Sequence, residues 1–305
     1  SSNLQTQIQA TRAIGRLERP DIAEHLLPLL ASRKPTLQIE AANALAQSNF
    51  GATELSSHLQ KETNPDVLSA FYEAIGRLET TSPKTLRPGL YATSESVRLG
   101  VIKGMEHLFR TRGLTPSKKT IQAIRLMIQE SQNSQLRQLG LLILNRIGDR
   151  DPSTLEKAWA DPDPLVRRLA ILGLQEWRED SSHTVRYAAL KVAPSCERVR
   201  QALLDDSEHV ALLAIDIYPS NCPSEPLNTI LLNTTSWRQA SHALVALASI
   251  IPSETRKELP RFASHELWQV RVYAARAASL LNDIGTLDKL RQDRDPNVIG
   301  EALVT

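Results

Sequence analysis

Along the chain an aliphatic residue recurs with small or apolar residues four, seven and eight positions after it. Val166 is followed by Ala170, Gly173 and Leu174, Val270 by Ala274, Ala277 and Ala278, and Val97 by Val101, Gly104 and Met105. Leu136 leads to Gly140, Ile143 and Leu144, and Val67 to Phe71, Ala74 and Ile75. Leu37, Val185, Val210 and Val298 begin further copies, and weaker ones are anchored near Thr6 and Ser236. Offsets of four, seven and eight fall on one helical face, so each copy predicts an amphipathic helix with one buried stripe.

Successive anchors such as Thr6, Leu37, Val67 and Val97 lie 30 or 31 residues apart, room for two short helices and their turns. Asn64-Pro65, Asp163-Pro164 and Asp295-Pro296 place a capping side chain and then proline just ahead of the anchor. The cap satisfies an orphan N–H, and proline loses nothing at the first helical position. Ser94 and Ser207 stand at the same cap position. Preceding helices are expected near 22–30, 53–61, 121–130, 226–232 and 255–262.

The pattern therefore predicts an all-α solenoid of about ten helix-pair repeats over residues 1–305, a right-handed α-α superhelix. Two intervals break the rhythm. From Val97 to Leu136 the spacing stretches to 39, which suggests a longer first helix or loop around Arg110 to Lys119. From Val166 to Val185 it shrinks to 19, too short for a helix pair, and a change of local curvature is expected there. Both ends, Leu4 to Leu17 and Val298 to Thr305, read as second helices without polar capping repeats, so a segment of a longer protein is expected.

Composition fits this reading. Hydrophobic residues make up 41% and aromatics only 4%, a core of small aliphatic side chains that suits close helix packing. No apolar run approaches the roughly 18 residues that span a bilayer. The formal net charge is +2, a poor balance for a protein that draws its affinity from phosphates. The seven histidines are dispersed, with no HExxH pair, and neither a phosphate-binding glycine loop nor a G-x-S-x-G elbow occurs. No catalytic residue, metal ligand or cofactor is read from the chain.

The helix pairs, the aliphatic-Arg steps and the Asp-Pro caps resemble the short HEAT-like repeats of phycobilisome-lyase-type and bacterial scaffold proteins. Two stretches, DDSEHVALLAIDI at 205–217 and SHELWQVRVYAARAASLL at 264–281, are similar to the HEAT region of bacterial extracytoplasmic proteins that carry a cyclophilin-type peptidyl-prolyl isomerase domain. The resemblance implies an armadillo-type solenoid that binds a protein or peptide on a concave face lined by second helices. Two alternatives stay open, an accessory region presenting substrate to a prolyl isomerase and a HEAT-type DNA glycosylase.

The resemblance also assigns the arginine after the anchor (Arg98, Arg137, Arg167, Arg186 and Arg271) to ties between repeats. Asp163, Asn64, Asn133 and Asp206 are available acceptors. Six positions beyond the anchor stand Arg12, Lys103, Lys191, His242 and Arg276, with Glu73 and Asp216 as exceptions, a candidate partner-binding strip against a bland solvated face. Four tryptophans (Trp159, Trp177, Trp237 and Trp268) are either packing residues or binding hot spots. Cys196 opens a first helix and Cys222 follows its partner helix, so the two thiols either meet as a disulfide or stay apart. A disulfide would favour an oxidising, extracytoplasmic compartment. Asn233-Thr234-Thr235 matches a glycosylation sequon.

Overall fold

A computed structural model describes residues 2–304, so the expectations placed on Ser1 and Thr305 lie outside the described residues. The described residues form helices and turns only, and the chain divides into two compact units between Leu174 and Gln175.

In the first unit a lone second helix α1 (Ser2–Arg16) is followed by five pairs. First helices are α2 (Pro20–Ala23, continued by a 3-10 stretch Glu24–Ala31), α4 (Ala52–Leu59), α6 (Pro83–Leu86, continued by Arg87–Tyr91), α8 (Lys118–Glu130) and α10 (Pro152–Trp159). Their partners are α3 (Pro35–Gln47), α5 (Pro65–Arg77), α7 (Glu95–Arg112), α9 (Ser134–Arg146) and α11 (Pro164–Leu174). The second unit opens on α12 (His183–Val192). Four pairs follow: α13 (Cys196–Ala202) with α14 (Glu208–Asp216), α15 (Glu225–Asn233) with α16 (Trp237–Ile250), α17 (Pro252–Ala263) with α18 (Trp268–Leu280), and α19 (Ile284–Leu290) with α20 (Pro296–Leu303).

Within each unit every second helix packs on the next, from α1 through α11 and from α12 through α20. Each unit is thus an α-solenoid of the HEAT/armadillo type. The anchors are what the stack buries: Val67, Leu136, Val166, Val185 and Val298 are all fully buried. No described helix is long and apolar enough to cross a membrane.

Local chemistry sets the helix starts. Asn64 Oδ1 accepts from the N–H groups of Asp66 and Val67 at 3.0 and 3.3 Å, and Asp163 Oδ1 from Leu165 N–H at 2.8 Å. Ser94 and Ser207 stand at N-cap positions, but their hydroxyls make no capping bond. In the first pair, Pro28 lies inside the 3-10 stretch, where its missing N–H cannot support a regular α-helical ladder.

Both breaks in the repeat take a definite form. The long interval is shared: the first helix α8 is 13 residues long, residues 113–117 form a loop before it, and α7 itself runs on to Arg112 and stops at Gly113, whose φ of 58° is left-handed. Buried Leu108 and Phe109 extend its apolar stripe by a turn, and the Arg112 guanidinium donates to Thr81 O at 2.6 Å. The short interval lacks a first helix altogether. Residues 175–182 hold no helix, and Gln175 adopts a left-handed φ of 58°.

The tightest second-helix contact is α5 against α7. A Cβ built on Gly100 would lie 2.0 Å from Ser69 O, one on Gly104 2.7 Å from Tyr72 O, and one on Gly76 2.3 Å from the Gly104 Cα. Backbone meets backbone here, which only glycine permits.

Candidate functional site

The turn between the two helices of a pair is where polar chemistry concentrates. Two residues before the second-helix cap, a short polar side chain folds back onto the cap's own N–H. Asp161 accepts from Asp163 N–H at 2.9 Å, Asp205 from Ser207 at 2.8 Å and Asp293 from Asp295 at 2.9 Å. Ser131 does the same for Asn133 at 3.1 Å. Such turns are built from side chains short enough to reach the backbone two residues on.

Each carboxylate held this way receives the arginine of the preceding second helix. Arg137 donates to Asp161 through Nε and Nη2 at 2.5 and 2.8 Å, Arg186 to Asp205 at 2.7 and 2.7 Å, and Arg271 to Asp293 at 2.7 and 2.9 Å. The third nitrogen reaches back into the arginine's own turn. Arg137 Nη1 donates to Ser131 O at 3.0 Å, Arg167 Nη1 to Asp161 O at 2.9 Å, and Arg271 Nη1 to His265 O and Glu266 O at 2.7 and 2.9 Å. One guanidinium thereby stitches two consecutive turns, a task suited to its fixed fork of donors.

The acceptors differ from three of the four that the sequence offered. Asn64 and Asn133 spend their side-chain oxygens on their own helix starts, and Asp163 on Leu165 N–H and the Gln138 amide. A cap carboxyl faces its own first turn and leaves the guanidinium to the residue two positions earlier. Asp206 does meet Arg186, from the solvent side. The signal was present in DPDPLVR, DDSEHV and DRDPNV, where a carboxylate precedes the cap by two.

Arg98 shows what happens without that acid. Ser131 replaces it and gives its hydroxyl hydrogen to Glu95 at 2.9 Å, which leaves the buried Arg98 Nε–H without an acceptor among the described residues. Electrostatics follow the geometry. The Arg271 guanidinium holds the Asp293 carboxyl below the usual carboxylate range. For Asp205, burial pushes the carboxyl up, but hydrogen bonds from Arg186 and Ser207 outweigh it and the net direction is down.

The row six positions past the anchor is largely paired. Arg12 meets Glu40, Lys103 Nζ lies 3.6 Å from Glu73, and Arg276 holds Glu301 in a fork at 2.9 and 3.2 Å. Lys191 is exposed. His242 lies between Asp216, 2.5 Å from Nδ1, and the Tyr273 hydroxyl, 2.8 Å from Nε2, and Arg276 stacks on the Tyr273 ring at 5.0 Å. Glu73 and Asp216, exceptions to the basic row in sequence, are therefore its counter-charges.

The helix α16 also sits in a different register from the sequence reading. Ser236 is its N-cap, accepting from Gln239 N–H at 3.4 Å, so the anchor position falls on Gln239, the arginine position on Ala240, and His242 stands three positions past the anchor rather than six. The acid two before the next cap is likewise missing: His265 stands there, its Nδ1 accepting from Leu267 N–H at 3.1 Å. Where α9, α12 and α18 are followed by an Arg–Asp pair, this turn has Ala240 and His265, as the turn before it has Ala211 and Thr234.

A groove of about 250 Å³ opens at that place. Its lining draws Leu231 and Leu232 from α15, Trp237 and Ala240 from α16, Phe262 from α17 and Val270 from α18. Arg261 crosses the rim, donating to Leu231 O at 3.0 Å while lying over the Phe262 ring at 4.9 Å. Leu232 is 54% exposed and Trp237 half-buried. The corresponding place between α8 and α10 is a cavity of about 380 Å³ whose lining includes Arg137, Asp161 and Lys157.

Of the other tryptophans, Trp159 and Trp177 are half-buried against the cores of their units and Trp268 is exposed. Among the described residues no cluster of three or more His, Cys, Asp or Glu could hold a metal ion.

Cys196 and Cys222 are joined in a disulfide, with Cα atoms 5.4 Å apart. It ties the start of α13 to the turn after α14, where the Tyr218 hydroxyl donates to Pro223 O at 2.7 Å. Closing a loop over a separation of 26 residues restricts the unfolded chain. Replacing both cysteines by alanine is expected to lower the stability of the second unit by about 3 kcal/mol, read from the midpoint of denaturant unfolding. An unchanged midpoint would show that the bridge restrains nothing.

No protein-family model matches the chain, and no curated protein matches it in sequence. Among solved structures it is similar to an engineered protein at 16% identity and a TM-score of 0.38, over 99% of this chain and 95% of that one. It is similar to Kap95 in complex with Nup1 at 15% identity and a TM-score of 0.48, and to importin β at 12% and 0.46. These cover 92% and 98% of this chain, which spans less than half the length of either, 44% of Kap95 and 47% of importin β.

Proposed function

We propose that this chain is a noncatalytic interaction scaffold that binds a protein or peptide partner. The observation that carries the reading is the groove at Ala240, an open cleft that brings Leu232, Phe262 and the half-buried Trp237 together beside Arg261. Aromatic side chains beside arginine, on a rigid scaffold, are the residue types that dominate binding energy at protein interfaces. The row of Arg12, Lys103, His242 and Arg276 contributes less, because each basic side chain already faces an acid and the row presents little net field. That same pairing speaks against a phosphate-tracking surface. We therefore place recognition on the turn edge of the second unit, with the second-helix face as its flank.

A photo-reactive amino acid at Leu232 tests the reading in cells of the source organism. One discrete cross-linked polypeptide is expected, reduced by Trp237→Ala. No adduct at Leu232, together with duplex-DNA binding that falls steeply with salt, would reverse it.

A further inference from the structure

The second helices of the first unit carry another polar row, ten positions past the anchors and one helical turn beyond the paired row. Counted from Thr6, Leu37 and Val67 it holds Arg16, Gln47 and Arg77. These three line one cavity of about 330 Å³ together with Arg12, Glu40 and Asn43. Its walls come from three stacked helices, α1 and α5 with α3 between them. Gly15 lets α1 come close to α3, since a Cβ there would lie 2.8 Å from the Ala44 Cα.

Charge is not balanced here. Glu40 is the one acid in this lining, and Arg12 already meets it. Among the described residues neither Arg16 nor Arg77 has an acidic partner, and the amides of Asn43 and Gln47 make no hydrogen bond. The cavity therefore sets three guanidiniums against one carboxylate. Further along the same unit the cations do have acids. Lys103 lies 3.6 Å from Glu73, and Arg110 and Arg146 lie 3.1 and 3.7 Å from Glu106. The surplus is felt on the next second helix, where His107 is held below the ordinary imidazole range by burial and then by the charges of Arg110 and Arg77.

We propose that this cavity binds an acidic segment of a protein partner, laid across α3 so that one carboxylate meets Arg16 and another meets Arg77. Guanidinium forks match carboxylate oxygens with paired N–H donors. The amides of Asn43 and Gln47 lie between the two arginines in the stack and offer both a donor and an acceptor, the complement of a peptide's own C=O and N–H. An inorganic oxyanion only accepts and has nothing to give the amide oxygens, which favours a peptide. The inference rests on the scaffold reading for the kind of partner and is independent of the groove at Ala240.

The probe is a short fluorescein-labelled peptide alternating glutamate and serine, followed by anisotropy against the full chain at low salt. Binding is expected for the native chain, and none for a counterpart with lysine in place of glutamate. Arg16→Gln combined with Arg77→Gln is expected to weaken the acidic peptide by roughly tenfold or more. Both arginines lack a partner in the fold, so the thermal midpoint is expected to stay near the native one and lost binding is not lost folding. Arg110→Gln with Arg146→Gln removes the same charge from the same unit, beside Glu106, and is expected to leave binding unchanged. Equal losses in the two double variants, equal binding of the lysine peptide, or tighter binding of duplex DNA through Arg16 and Arg77 overturns the proposal. If the acidic peptide fails to bind while the adduct at Leu232 forms, the chemistry assigned to this cavity is wrong and the scaffold reading stands.

Discussion

Gly100→Ala destabilises the first unit by about 2–4 kcal/mol, whereas Gly300→Ala leaves the second unit unchanged or more stable by up to about 1 kcal/mol. Both glycines lie inside helices, where alanine is ordinarily the better residue. The sign is decided by what the new methyl group meets. At Gly300 nothing lies within 4 Å, so the substitution collects its helix propensity. At Gly100 the methyl would sit 2.0 Å from a carbonyl oxygen of α5, and no rotamer change can move a Cβ. The α5–α7 contact must open, and the buried stripe from Phe71 to Met105 opens with it. Gly104→Ala is expected to act in the same direction with a smaller effect, its nearest atom being 2.7 Å away. Denaturant unfolding of the three variants checks the order. Equal effects at 100 and 300 would mean that the close approach of α5 and α7 does not exist in solution.

Arg271→Met costs about 3–5 kcal/mol, the range for breaking a buried ion pair from one side. Arg271 and Asp293 are 7% and 10% exposed at the side chain, so neither is solvated well enough to stand alone. The variant strands the Asp293 carboxylate and frees two carbonyls, His265 O and Glu266 O. Removing the charge from both sides with Arg271→Met and Asp293→Asn is expected to recover part of the loss. A single substitution as harmless as the double would show that the pair contributes nothing.

The same pair predicts a pH dependence with a definite sign. The folded Asp293 carboxyl is held below its unfolded value by Arg271, so the unfolded state binds a proton first as the pH falls. The stabilisation is complete above about pH 5, a unit over the unfolded value near 3.9, and is lost as the pH drops through the folded value. Asp205 shifts in the same direction. Native unfolding midpoints are therefore expected to fall below about pH 4, and less steeply in the Arg271→Met, Asp293→Asn variant.

Much of the fold was legible in one dimension because it is local. The anchor-and-stripe pattern around Val166 or Val270 is a property of a single helix, and burial of that stripe follows wherever the helix is stacked. Asp163-Pro164 and Asp295-Pro296 mark helix starts because a cap bonds backbone two residues away. The site was less legible. The α16 register was missed because Trp237 and Ala240 both fit a helical face, and only the Ser236 cap tells which residue takes the arginine position. In sequence the strip is a row of basic residues without visible partners, while their acids lie on neighbouring helices, Arg12 with Glu40 and Arg276 with Glu301.

By itself the sequence determined the helices, their buried faces, their caps and the place of the irregular intervals, since each depends on periods of 3.6 residues or on contacts within one turn. The tertiary structure decided what lies between helices: which acid each arginine reaches, that α5 and α7 touch backbone to backbone, that Cys196 meets Cys222, and that an apolar groove opens at Ala240. Those outcomes depend on distances between segments 20 to 30 residues apart, such as the 24 between Arg137 and Asp161, which no local period encodes. Two residues that read as ordinary in the chain, Ala240 and His265, come together in the lining of one groove only when the turns are stacked.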